Sequence, residues 1–166
     1  SLLNLLGYIK LFEKDYQEAL LIYQKYLEIA ISSQDKENEH IGYHQLAMVY
    51  REMNDYQTAL NYINKEREVI EDSFSEDALK SSVNNYEQGY LRLKLGEIAK
   101  AIMYMEQSLK QALQTDDLIA QACSYRGLGE IYSAKIQKNR KRIFYKLSNF
   151  LKKLAIRSEH KKLKAY

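Results

Sequence analysis

The chain repeats itself along its length. Leu6-Gly7-Tyr8, Leu46-Ala47-Met48, Gln88-Gly89-Tyr90 and Leu128-Gly129-Glu130 recur at spacings of 40, 42 and 40 residues, each inside a stretch of helical apolar period. Twelve residues after each small residue stand Ala19, Ala59, Ala101 and Lys141. A period of this size restricts the fold more than composition does, because one such unit cannot bury its apolar face alone and must stack on its neighbours. Proline is absent and glycine occurs six times in 166 residues, so helices joined by short turns are expected.

The first three units read Phe12-Glu-Lys-Asp-Tyr-Gln-Glu-Ala19-Leu, Met53-Asn-Asp-Tyr-Gln-Thr-Ala59-Leu and Leu95-Gly-Glu-Ile-Ala-Lys-Ala101-Ile. This pattern resembles the tetratricopeptide repeat, in which a small residue on the first helix and an alanine on the second let two helices approach closely. Backbones cross near the short end of the usual ~8 to 10 Å separation only where side chains are small. The expected repeat-packing set is therefore Gly7, Ala47, Gly89 and Gly129 against Ala19, Ala59 and Ala101. Tyr16, Tyr56 and Ile98 plug the gap after each turn, and Tyr23, Ile63, Met105 and Tyr145 continue the second-helix core face. The units run about 40 residues against the usual ~34, no proline closes them, and the fourth places Lys138 and Lys141 where a plug and an alanine belong.

The resemblance implies an all-α fold: a right-handed α-solenoid of about four tetratricopeptide-like hairpins, eight helices near 2–13, 16–32, 36–53, 56–72, 76–95, 98–114, 117–136 and 139–157. Asp35 and Thr115 are expected N-caps, and Ser73-x-x-Glu76 an expected capping box. Two domains are expected: 1–134 as the repeats, 135–166 as a divergent basic C-terminal capping helix and tail. Residues 1–134 carry 13 Lys/Arg against 21 Asp/Glu, whereas 135–166 carry 12 against 1. In that basic end, Lys138, Arg140, Lys141, Arg142, Lys146, Lys152, Lys153, Arg157, Lys161, Lys162 and Lys164 interleave with Ile143, Phe144, Leu147, Phe150, Leu151 and Leu154 as an amphipathic helix. Such a helix suits a terminal cap answering the acidic body, and also nucleic acid, an anionic membrane or an acidic partner.

Stacked hairpins line one surface with the first helix of each unit, and that surface is where such arrays bind. Residues three before, one after and four after each small residue turn towards it. They are Asn4, Tyr8 and Leu11; His44, Met48 and Arg51; Tyr86, Tyr90 and Leu93; Arg126, Glu130 and Ser133. Tyrosine gives broad amphipathic contact, arginine holds a carboxylate, and asparagine or histidine bonds a peptide backbone.

Catalysis, metal and cofactor are not expected. His40 and His44 lie one helical turn apart beside Glu37 and Glu39, but lack the glutamate that directly follows the first histidine in zinc protease helices. Cys123 has no activating histidine near it in sequence, and Gly127-x-Gly129 is not followed by the lysine of a phosphate loop. No run reaches the ~18 apolar residues of a membrane span, no basic leader or cleavage site opens the chain, and the single cysteine fits a reducing, cytoplasmic setting. A start without methionine is read as a fragment of something longer.

The expected function is peptide or protein binding. Unit length, polar links without proline and a tryptophan-free, Lys/Ile/Tyr-rich composition resemble the sensor domains of bacterial peptide-pheromone regulators of the Rap type and related transcription factors. That resemblance implies a short re-imported peptide in the groove that switches an attached effector. The alternative is a constitutive adaptor that holds a folded protein or pairs with its own copy. Nucleic-acid binding through the basic end ranks third, and nucleic acid is not expected as a partner of this stretch.

Overall fold

An acidic residue recurs about every twenty positions, at Asp15, Asp35, Asp55, Asp77, Glu97 and Asp117, and each stands where a helix begins. The computed structural model describes the backbone over residues 1–163 and the side chains over 1–146 and at 148, 149 and 152. The helices are α1 (Leu2–Phe12), α2 (Tyr16–Ser32), α3 (Lys36–Glu52), α4 (Tyr56–Ser73), α5 (Ala78–Lys94), α6 (Ile98–Ala112) and α7 (Leu118–Leu163). Asp15, Asp35, Asp55, Asp77 and Asp117 each accept the backbone N–H three residues on, at 2.9 to 3.3 Å, satisfying a donor that the helix cannot.

Most of these residues also terminate the preceding helix. Lys14, Gln34, Asn54 and Gly96 have φ of 63°, 57°, 62° and 78°. The next backbone N–H bonds five residues back, Asp15 to Lys10 and Asp35 to Ala30, both at 2.9 Å. This left-handed C-terminal motif closes one helix and opens the next within two residues.

The small residues of the first three units lie at close helix contacts. Ala19, Ala47, Ala59 and Ala101 are fully buried. A Cβ on Gly7 would lie 2.6 Å from the Tyr23 ring, and one on Gly89 3.2 Å from the Ala101 carbonyl oxygen. Tyr23, Leu46 and Val49 pack with Ala19 across α2 and α3, and Met48, Leu60, Ile63 and Leu91 pack around Ala47 and Ala59. Burial pushes the Tyr23 phenol up to about 12.

Five expectations are corrected. The helices placed at 117–136 and 139–157 are one helix, α7, because Gln137 and Lys138 are good helix formers with no glycine or proline to turn the chain; among the described residues the helices number seven, not eight. Gly129 makes no close approach, since nothing lies within 4 Å of a Cβ built there, whereas a Cβ on Gly127 would meet Met105 Cε at 2.5 Å. Ser73 is the last residue of α4 and Asp77 caps α5; likewise Asp117 caps α7, with Thr115 Oγ1 accepting from the Asp117 N–H at 3.3 Å. Tyr145 is 68% exposed and not core.

The chain divides into two compact units, Ser1–Leu128 and Gly129–Tyr166. In the second, Ile131 is buried while Ile136, Ile143 and Phe144 are exposed on α7. The expected Leu147, Phe150, Leu151, Lys153, Leu154, Arg157, Lys161, Lys162 and Lys164 lie outside the described side chains. No described helix is long and apolar enough to cross a membrane.

Candidate functional site

The first helices of the hairpins, α1, α3 and α5, carry nine of the twelve expected binding positions, and Arg126, Glu130 and Ser133 lie on α7. Tyr8, Leu11, His44, Met48 and Arg51 line one cavity of about 500 Å³, together with Phe12, Lys14 and Tyr16. Tyr8 is 58% exposed at its edge, whereas Met48 is 9% exposed and belongs to the core as much as to the surface. The periodicity that turned Met48 towards the groove could not show that it joins a core cluster with Leu60 and Ile63 of α4 and Leu91 of α5.

Arg51 couples this cavity to α5. Its Nη1 donates to both carboxylate oxygens of buried Glu87 at 2.9 and 3.0 Å, and the guanidinium lies 5.3 Å from the centre of the Tyr90 ring. One turn earlier on α5, the Tyr86 hydroxyl accepts from Arg126 Nη2 of α7 at 3.0 Å, and burial pushes the Tyr86 phenol up. Asn4 is half-buried with an Oδ1 that finds no partner, and it is not part of that cavity's lining. Leu93 is half-buried on α5. Glu130 and Ser133 are exposed on the part of α7 that belongs to the second unit.

Residues that periodicity did not select form the floor. Glu66 of α4 is 3% exposed, with Oε1 3.1 Å from His44 Nδ1 and Oε2 accepting from Asn84 at 3.0 Å. Burial would lower the His44 pKa, but the carboxylates of Glu66 and Glu87 hold it above the usual histidine value. Burial would raise Glu66, yet His44, His40 and Asn84 hold it below the usual range. The pair is thus an imidazolium facing a carboxylate, taken out of water but hydrogen-bonded on both sides.

Helix α5 carries this polar character across its buried side, with Ser82, Asn84, Asn85, Glu87, Gln88 and Arg92 all buried. Asn84 also donates to the Ile63 carbonyl at 2.9 Å, Gln88 to Asn64 at 2.8 Å and Asn85 to Gln111 at 2.6 Å. Arg92 bonds Gln88 and stacks 4.3 Å from the Tyr104 ring. Ser82, Ser108 and Ser124 link α5, α6 and α7, Ser108 and Ser124 meeting at 2.8 Å. The partners lie 16 to 26 residues apart in most of these bonds, so only the folded chain reveals them. Among the described residues, no group of three or more His, Cys, Asp or Glu side chains is arranged to hold a metal.

The family profile of the tetratricopeptide repeat matches residues 1–72, and a second profile of the same repeat matches residues 84–115. The chain is a tetratricopeptide-repeat protein. The two matches cover α1 to α4, most of α5 and all of α6, the elements whose small residues make the close helix crossings described above. The tetratricopeptide repeat is a protein-interaction scaffold, and these repeats make the chain a protein-interaction domain. No curated protein matches the chain.

Proposed function

We propose that the surface built by α1, α3, α5 and the first turns of α7 binds an extended polypeptide segment, and that the chain does no covalent chemistry. The observation that carries this reading is the Arg51 assembly, a guanidinium held by Glu87 and laid against Tyr90 beside a cavity edged by Tyr8. Tyrosine and arginine are the side chains that dominate binding energy at interfaces. Asn4, Tyr8, His44, Met48, Arg51, Tyr86, Tyr90 and Arg126 are the contact residues in this reading, with Glu130 beyond them on α7. Its finer form, after the pheromone regulators, has the peptide switch an attached effector in the cytoplasm. Residues 135–166 then serve as the divergent basic cap.

A second reading has support of its own. Leu2 and Phe12 are each 81% exposed and Leu5 is 58% exposed, so α1 offers an apolar surface to a folded partner or a second copy, as an adaptor would.

The deciding measurement is the thermal midpoint against a pool of short peptides, in the parent and in Tyr8→Ala, Arg51→Ala and Tyr90→Ala. A native-state ligand at 100 times its dissociation constant adds about 2.7 kcal/mol. Each variant is compared with its own unliganded midpoint, because Arg51→Ala also strands buried Glu87. A rise in the parent that shrinks in all three variants supports the peptide surface. No rise with any peptide transfers the assignment to the adaptor reading.

A further inference from the structure

The first helices α3, α5 and α7 each turn one face to the second helix that precedes them. On α3 that face is Gly42, Leu46 and Val49. A Cβ on Gly42 would lie 3.0 Å from Leu27 Cδ1 of α2, and Leu46 and Val49, both buried, pack with Ala19 and Tyr23. Forty-two residues on, α5 presents Asn84, Gln88 and Leu91 to α4. Asn84 donates to the Ile63 carbonyl, Gln88 donates to Asn64, and Leu91 packs with Leu60 and Ile63. Forty residues further, Ser124 of α7 meets Ser108 of α6 at 2.8 Å. The same series on α1, forty residues before α3, is Leu2, Leu6 and Ile9. All three are apolar, yet they are 81%, 41% and 42% exposed.

The covered faces indicate what suits the uncovered one. Residues at i, i+4 and i+7 lie on one side of an α-helix, and their side chains seat between those of a neighbouring helix. Helix α4 answers Gln88 with Asn64, and α6 answers Ser124 with Ser108, whereas α2 answers Leu46 and Val49 with apolar groups. The α1 series has no polar member, so a cover of the α2 kind matches it. One position differs. Gly42 leaves room for Leu27, but Leu2 fills that room on α1, so the covering helix needs a small residue there. A second copy has no such helix to spare: its α2, α4 and α6 already hold α3, α5 and α7, and the continuation of α7 has Lys141 where Ala19 and Ala59 stand.

The geometry points to the outer face of α1 as the seat of an amphipathic α-helix from a partner protein, laid on Leu2, Leu6 and Ile9 as α2 lies on Gly42, Leu46 and Val49, with alanine or glycine opposite Leu2. The inference rests on the adaptor reading above. It leaves the Arg51 cavity open, since none of the three residues lines it.

The test titrates the full chain, methyl-labelled at leucine and isoleucine, with two synthetic peptides: the α2 sequence Tyr16–Ser32, and that sequence with Leu27→Ala. The expected result is a saturable shift of the Leu6 and Ile9 methyl resonances with the Leu27→Ala peptide, about tenfold weaker with the unaltered one. The order should reverse in a Leu2→Ala chain, a change at a position too exposed to unsettle the fold. Equal responses to both peptides, an order that Leu2→Ala leaves unchanged, a shift of Leu46 in place of the α1 methyls, or no response overturns the assignment. Sedimentation of the chain alone separates this failure from that of the adaptor reading. A dimer that Leu2→Asp disperses keeps α1 as an adaptor surface and removes the partner helix, whereas a monomer whose α1 methyls answer neither peptide removes both.

Discussion

Glycine positions on these helices differ in what a methyl group would meet, and the difference sets a graded outcome. At Gly7 the new Cβ would meet the ring of Tyr23, which is fully buried and rigid, so Gly7→Ala should cost about 1 to 3 kcal/mol by overpacking. At Gly127 it would meet the end of Met105, a side chain that can shift, so the loss is smaller. At Gly129 it meets open space, and Gly129→Ala should stabilise by up to about 1 kcal/mol through helix propensity. Urea unfolding of the three variants checks the order. The His44–Glu66 pair sets a pH dependence. Glu66, held below 4.5 in the fold, contributes stability present above that value and lost as pH falls through the folded pKa. His44, held above 6.5, contributes stability that is full below 6.5 and lost as pH rises through its folded pKa. The pair should therefore contribute most between those limits, and His44→Gln should flatten the alkaline side of a plot of stability against pH.

At the scale of elements, the caps explain most of the helix boundaries. Asp35→Ala should cost about 1 kcal/mol. Glu97 stands in the same place on α6 without a side-chain cap bond, so Glu97→Asp should raise the thermal midpoint, and a fall or no change would show that α6 begins differently from its neighbours. The repeat anchors, the buried alanines and the first six helices were legible in the sequence, because small residues at fixed spacing report close helix crossings directly. Asp35 was legible as a cap, and the twenty-residue acidic series that contains it would have found the others. Helix α7 was not, since repeat logic asked for a turn where Gln137 and Lys138 supply none. The candidate binding positions were read from the sequence as a set on first helices. The floor beneath them was not, because Glu66, Asn84 and Glu87 read as ordinary polar helix positions until their partners on neighbouring helices are in place.

For the first unit taken whole, each hairpin leans on its neighbours in order, so damage should stay local in proportion to its position. Disrupting Gly7 in the first hairpin should raise hydrogen exchange in α1 and α2 while α5 and α6 keep their protection. Gln88→Ala, which strands Asn64 between the second and third hairpins, should raise it on both sides. Exchange rising everywhere in both variants would mean that the hairpins open as one body. The two-residue corner has a further consequence. Lys14-Asp15 and Asn54-Asp55 turn the chain within hairpins, while Gln34-Asp35 makes the same turn between them. Loss or duplication of one twenty-residue half-unit would splice into an equally good corner but exchange the roles of the two helix types, setting a tyrosine against a tyrosine. The turns are therefore blind to phase, and the alternation of glycine or alanine with its bulky counterpart keeps the array in frame.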